Sequence, residues 1–192
     1  MFDAFKSEAR YYDAFHADKD YAAEAESLRK RYPSAKRVLE IGAGTGLLTR
    51  ELERLGFSVT AVEPSTEMRQ KFLDNNPLKL PFQSTIQGIP SFPVNWFDLT
   101  IAHYDVLNYV PFDELPGVLR KLLIISKQQD IEIWDSSKPV KFFTMKRVGK
   151  LRRFRFAFRF GQRVTLFFVY TGKGLCVSKH KLYLHEGLER DV

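Results

Sequence analysis

The nonapeptide Val38-Leu39-Glu40-Ile41-Gly42-Ala43-Gly44-Thr45-Gly46 constrains this chain more than any other stretch. An apolar strand runs into three alternating glycines, and a helical pattern begins at Leu47. Glycine accepts positive φ without steric cost and lets backbone approach a ligand closely. The helix start beyond it offers unpaired N–H groups to whatever occupies the turn. A dinucleotide fingerprint, G-x-G-x-x-G, requires its third glycine at position 47. Here that position is Leu47, and the third glycine is Gly46. Glu40, two residues before the first glycine, would repel a pyrophosphate but suits a ligand carrying a positive amine or sulfonium.

A chain of 192 residues, 44% hydrophobic and with mixed charges, fits one globular domain with a sizeable core. We expect a single domain over 1–192: a core with an N-terminal lid over 1–137 and an antiparallel β extension over 138–186. No apolar run is long enough to span a membrane, and Met1 to Lys6 lacks a signal-peptide pattern. The single cysteine, Cys176, excludes an internal disulfide and points to a cytoplasmic protein. It also excludes a cysteine-based zinc cage, and four scattered histidines do not make metal spacing, so no metal is expected. The net charge of +7 is concentrated late: Lys138 to Arg163 contains no acidic residue. That stretch faces phosphate, nucleic acid or only solvent.

The pattern predicts a helix over 22–32, from the spacing of Ala22, Ala25, Leu28 and Tyr32. A helix follows the glycine turn over 47–55, stopped by Gly56. A strand over 57–62 ends at Glu63, and Ser65 caps a helix over 66–75. Further strands are expected over 84–88, 96–102 and 131–135, with a helix over 111–123. Strict alternation of Arg and Phe from Arg153 to Phe160 begins an antiparallel sheet that continues over 163–170 and 175–185.

The glycine motif resembles the first motif of class I S-adenosylmethionine (SAM)-dependent methyltransferases. Tyr11-Tyr12-Asp13-Ala14-Phe15, then Asp18-Lys19-Asp20-Tyr21, then a helix with Glu24, then the glycine motif and the octapeptide His103 to Val110, resemble the small-molecule branch that includes N-methyltransferases of nucleotide-linked amino sugars. The resemblance runs from Tyr11 to His185. It implies a Rossmann-like open α/β sheet with central parallel strands and helices on both faces, to which the antiparallel sheet is appended. The family's C-terminal helix and closing strands are not visible in this sequence. In that branch the N-terminal tyrosine segment folds over the site as a lid, an acid in the position of Glu63 holds the ribose, and SAM is the cofactor.

The expected cofactor residues are Tyr11, Tyr21, Glu40, Gly42, Ala43, Gly44, Gly46, Glu63, Pro64, Met68, Gln87, Gly88, Ile89 and His103. Gly88-Ile89-Pro90 stands where the family places an acid against adenine, so Gln87 or backbone groups take that role. Tyr104, Asn108, Tyr109 and Asp135 are expected to bind the acceptor. Tyr12, His103 and Asp105 are the candidates for catalytic roles; the branch histidine position is Asp105 here, and His103 lies two residues earlier. The expected function is methyl transfer to nitrogen or oxygen of a small molecule, a nucleotide-linked sugar among the candidates, by an enzyme able to form a homodimer through the extension. Two other readings stay open: an RNA or protein methyltransferase docking through the basic extension, and a non-catalytic SAM- or partner-binding relic.

Overall fold

The structure, a computed structural model, describes residues 5, 8–79, 81, 85–86, 88–104, 106–111 and 113–132, together with the backbone of four strands between 143 and 182. Helices α1 (Ala9–Phe15) and α2 (Tyr21–Arg31) precede the sheet. Strand β1 (Arg37–Ile41), helix α3 (Leu47–Arg54), strand β2 (Ser58–Val62), helix α4 (Thr66–Asn75), strand β3 (Leu99–Ala102), helix α5 (Leu115–Ile125) and strand β4 (Gln129–Ile131) follow. The four strands are parallel in the order β2-β1-β3-β4.

Local chemistry explains most of these boundaries. Asp20 caps α2 by accepting from the Ala23 amide at 2.8 Å. Glu24 in the first turn and Arg29, Lys30 and Arg31 in the last complement the helix dipole. Ser65 caps α4, its hydroxyl accepting from the Met68 amide. In β1, Val38 and Leu39 belong to different cores, as successive residues of a doubly covered strand must. Val38 meets Leu28 of α2 and Leu52 of α3. Leu39 meets Leu115 and Leu122 of α5. The chain leaves β1 toward β2 on one side and returns to β3 on the other. The carboxyl end of β1 is therefore the point where strand order reverses, the place where open α/β sheets bind ligands.

Three expectations need correction. A strand was expected over 84–88; among the described residues of that span, 85, 86 and 88, none is in a strand: Ile86 lies in a bend and Gly88 in a turn, with the Gly88 amide bonded to the Thr85 carbonyl and hydroxyl. A threonine turn has displaced the ladder, and Ile86 and Ile89 fill the α5 side of the core instead. Helix α5 starts at Leu115 rather than Pro111, because the Pro111 carbonyl is used by a tight turn to Glu114 and Leu115. Strand β4 begins two residues before the expected 131; residues 133–135 lie outside the described set. Over 143–182 the backbone follows β5 (Phe143–Val148), β6 (Leu151–Phe160), β7 (Gln162–Tyr170) and β8 (Leu175–Leu182), paired antiparallel in that order.

The turn after β1 uses positive φ at Gly42 (71°), Gly44 (57°) and Gly46 (77°). A Cβ on Gly46 would stand 2.3 Å from Asn76 Nδ2 and 2.5 Å from Phe72 Cδ2, whereas one on Gly56 (φ 83°) would meet nothing within 4 Å. Gly56→Ala is therefore expected to cost about 1 kcal/mol of left-handed strain. Gly46→Ala is expected to cost a further 1–3 kcal/mol or so from crowding against α4. Urea unfolding of both variants measures the difference; equal losses would mean that the turn relaxes around the new methyl group.

Candidate functional site

The glycine turn is pinned by backbone and carboxylate together. The Gly42 and Ala43 amides both donate to the Val62 carbonyl, at 2.8 and 3.0 Å, tying the turn to the end of β2. Glu63, the next residue, is 5% exposed and bridges two loops: one carboxylate oxygen accepts from the Gly44 amide at 2.9 Å and the other from the Ser65 amide at 2.8 Å. Burial nevertheless pushes its carboxyl above the usual range, against those two bonds and the charge of Arg69. Arg69 is itself held by the carbonyls of Glu63 and Pro64.

A cavity of about 30 Å³ opens over the turn. Of the expected residues, Tyr12, Tyr21, Glu40, Gly42, Ala43, Gly44, His103 and Tyr104 form its wall, with Ile41, Thr45, Leu47, Leu48 and Ile101. Glu63 reaches the turn from behind through Gly44. Tyr11, Pro64, Met68, Gly88, Ile89, Asn108 and Tyr109 are not in the wall. Met68 and Ile89 are buried in packing, Asn108 is buried in the short 3-10 helix Val106–Tyr109, and Tyr109 meets the ring of Phe5. Gln87, Asp105 and Asp135 lie outside the described residues. A Cβ on Gly44 would meet nothing nearer than the Gly42 carbonyl at 4.0 Å, so the space above that amide is open on the cavity side. An open glycine turn with a buried acid on each side fits the amino-acid and ribose parts of SAM.

The electrostatics of the wall are acidic. Glu40 is buried and accepts from the Thr49 hydroxyl. Burial lifts its carboxyl from 4.5 to about 7, and the Thr49 bond and the charge of His103 only partly oppose this. Tyr21 is pushed up to about 12 by burial and by the charges of Asp13, Glu24, Asp18 and Glu40, so its phenol stays protonated.

His103, 6% exposed at the end of β3, sits between two carboxylates. Its Nδ1 meets Glu24 Oε1 at 2.7 Å and its Nε2 meets Asp130 Oδ1 at 3.1 Å. Burial alone would lower its pKa, but those bonds and the charge of Glu132 outweigh burial and raise it. Each ring nitrogen faces a carboxylate oxygen, so neither is presented to the cavity as a base. The next residue, Tyr104, holds a left-handed φ of 61°, uncommon for a bulky side chain. It is gripped from three sides: its amide donates to Glu132 at 3.0 Å, its hydroxyl donates to Glu24, and the Lys19 ammonium lies 3.2 Å from its ring centroid.

Glu24 and Asp130 were not among the expected site residues. Glu24 stood in the sequence inside an ordinary amphipathic helix, and Asp130 gave no signal before the register placed it one strand from His103.

Comparison with known proteins agrees with this geometry. A methyltransferase domain model matches residues 38–129. The putative methyltransferase YqeM of Bacillus subtilis is 28% identical over 132 residues, 66% of this chain and 53% of that protein. The chain spans about a third to a half of the length of the curated relatives it matches. The structure of Streptomyces venezuelae DesVI superposes with a TM-score of 0.77 at 21% identity, covering 93% of this chain and 84% of that one. SAM-bound CalS10, an amino pentose methyltransferase from Micromonospora echinaspora, superposes at 0.71 with 16% identity, covering 92% and 81%. At such identities the likeness is one of fold.

The buried acids give a pH signature. Glu40 ionises near 4.5 in an unfolded chain and near 7 when folded. Between those values the native state holds a proton that the unfolded state has lost, so stability falls as pH rises. The raised His103 acts in the same direction: its contribution is complete below its unfolded value near 6.5 and is lost as pH rises through the folded one. Urea unfolding is expected to show lower stability at pH 8 than at pH 5. Glu40→Gln is expected to remove up to about 3 kcal/mol of that fall. A slope unchanged by Glu40→Gln would contradict the assignment.

Proposed function

We propose that the chain is a class I SAM-dependent methyltransferase that transfers a methyl group from SAM to a small molecule, a reading supported by its fold and by the methyltransferase domain match over residues 38–129. The observation that carries the reading is the glycine turn at the carboxyl end of β1, with Glu40 buried on one side and Glu63 reaching it from the other. Gly42 and Gly44 would hold the amino-acid end of SAM, Glu40 its positive ammonium, and Glu63 the ribose hydroxyls through the acceptor positions its bonds to Gly44 and Ser65 leave. Bound there, SAM supplies a methyl group on a positive sulfur, already activated for in-line displacement by a nitrogen or oxygen.

What remains for the protein is alignment and exclusion of water, which is worth roughly 7–11 kcal/mol when the attacking atom is held in line. Tyr12, Tyr21, His103 and Tyr104 form the part of the wall we assign to that task. Tyr12 and Tyr21 ride on α1 and α2, outside the sheet, and are the walls whose movement would admit a nucleoside to so small a cavity.

For the acceptor we favour a nitrogen that arrives as an ammonium. Glu24, Asp130 and Glu132 gather behind His103 and Tyr104, and an acidic wall attracts a cation; the proton it must lose before attack needs a separate base. Likeness to an amino pentose methyltransferase supports the same class, as does the branch resemblance to enzymes of nucleotide-linked amino sugars. In that case the arginine-rich β6, with Arg163 of β7, would serve the phosphates of such an acceptor as an appended surface. For His103 to work as a base, Glu24 or Asp130 must release one of its nitrogens; Asp105 and Tyr12 are the other candidates.

Calorimetry with SAM and with S-adenosylhomocysteine (SAH) tests the premise. Saturable binding is expected, and at a hundredfold excess over Kd the native state gains about 2.7 kcal/mol, read as a rise in Tm. Glu63→Ala is expected to weaken both nucleosides at least about tenfold, the loss of a doubly bonded charged acceptor. Absence of heat and of thermal shift with folded protein would end the proposal. Full turnover in both His103→Ala and Asp105→Ala would remove those two from the catalytic roles.

A further inference from the structure

Thr45 stands between Gly44 and Gly46, at the tip of a turn whose glycines resist nothing on their own. Its side chain is 97% buried, since the residue is only 3% exposed. The Thr45 hydroxyl donates to Asp13 Oδ1 at 2.5 Å. Asn75, the last residue of α4, donates through Nδ2 to the Thr45 carbonyl at 2.8 Å and to the other oxygen of Asp13 at 3.3 Å. Asp13, Thr45 and Asn75 thus close a ring that ties α1, the glycine turn and α4 together. Asp13 is half-buried and sits beside Tyr12, whose ring stacks on His16 at 4.1 Å and lines the cavity. One carboxylate therefore fixes both the turn tip and a wall facing it.

We infer that Asp13 is a positioning residue for the methyl donor: through the Thr45 hydroxyl it holds the glycine turn in its ligand-binding shape, and through α1 it holds Tyr12 over that turn. The inference rests on the assignment of the turn to SAM. Asp13 lies outside the span matched by the methyltransferase domain model, so the positioning is done by this chain's own N-terminal arm. The turn contacts the part that SAM and SAH share. A positioning role therefore weakens both nucleosides equally, whereas a direct attraction between the Asp13 charge and the sulfonium would weaken SAM alone.

Calorimetric Kd values for SAM and SAH on the full chain test this. Asp13→Ala and Thr45→Ala are each expected to weaken both ligands about tenfold, as loss of one charge-assisted hydrogen bond does. The double variant is expected to be no weaker than the poorer single, because both changes break the same contact. Thr45→Ser keeps the hydroxyl and is expected to stay within about twofold of wild type. Single variants within twofold of wild type, additive losses, or a loss for SAM but not SAH would each overturn the inference. If Asp13→Ala does not fold, the Thr45→Ala and Thr45→Ser pair makes the same comparison without altering α1. A wild-type chain that binds neither nucleoside overturns the cofactor assignment itself; one that binds both, with Asp13→Ala unchanged, overturns only the role of Asp13.

Discussion

The contact on which the site depends is the tie between the end of β2 and the turn after β1. The Val62 carbonyl takes two amides of the turn, and Glu63 takes a third while bonding Ser65. Three left-handed glycines in five residues would otherwise leave the turn with a large entropic cost of ordering. The anchors come from a parallel neighbour that is itself in register along all five residues of β1. Sheet formation therefore sets the turn: once β1 and β2 pair, Val62 and Glu63 arrive opposite Gly42, Ala43 and Gly44. Fold and cradle are specified by the same pairing, and neither needs a residue whose sole purpose is the other.

A second consequence follows from placing acids in that environment. Glu40 and Glu63 are both nearly inaccessible, and burial raises both carboxyls. Buried charge without full compensation is destabilising. Such a cost is typical of binding sites, where the missing partner arrives with the ligand. His103 is the opposite case. Its two carboxylate partners compensate it within the protein, so it stabilises a cross-link between α2 and the β3–β4 strand ends. The wall is thus divided between a rigid part, clamped by Glu24, His103 and Asp130, and an under-compensated part around Glu40.

This division also explains what was legible in the sequence. Glycine spacing, the acid before it and the acid ending the next strand are local signals tied to backbone geometry, and the cradle could be read from them. So could α2 and α4, whose caps at Asp20 and Ser65 are chemical marks at fixed offsets. The segment around Ile86 was not legible. Ser84 to Gly88 reads as a strand and its exit by its place after α4, yet Thr85 offered the Gly88 amide a nearer partner. Glu24, Asp130 and Asp13 were not legible as site residues because each meets its partner across a long sequence separation: 79 residues from Glu24 to His103, 27 from His103 to Asp130 and 32 from Asp13 to Thr45. Amphipathic periodicity assigns a charged helix residue to solvent by default, and only tertiary packing overrides that assignment.

The N-terminal arm and the sheet share the site. The matched domain span begins at Val38, so it contains the turn, Glu40, Glu63, His103 and Tyr104 but none of α1 or α2. Every group that covers the turn from the N-terminal side, Tyr12 and Tyr21 in the wall and Asp13 and Glu24 behind it, comes from the arm. A core that supplied the turn alone would leave it open to water and its charges screened. The arm covers it, with polar ties that include Asp13 to Thr45 and Asn75, and Glu24 to His103 and Tyr104. The arm therefore covers one side of the turn with polar contacts at Asp13 and Glu24, while Ala25 and Leu28 of α2 anchor it to the apolar core beneath the sheet.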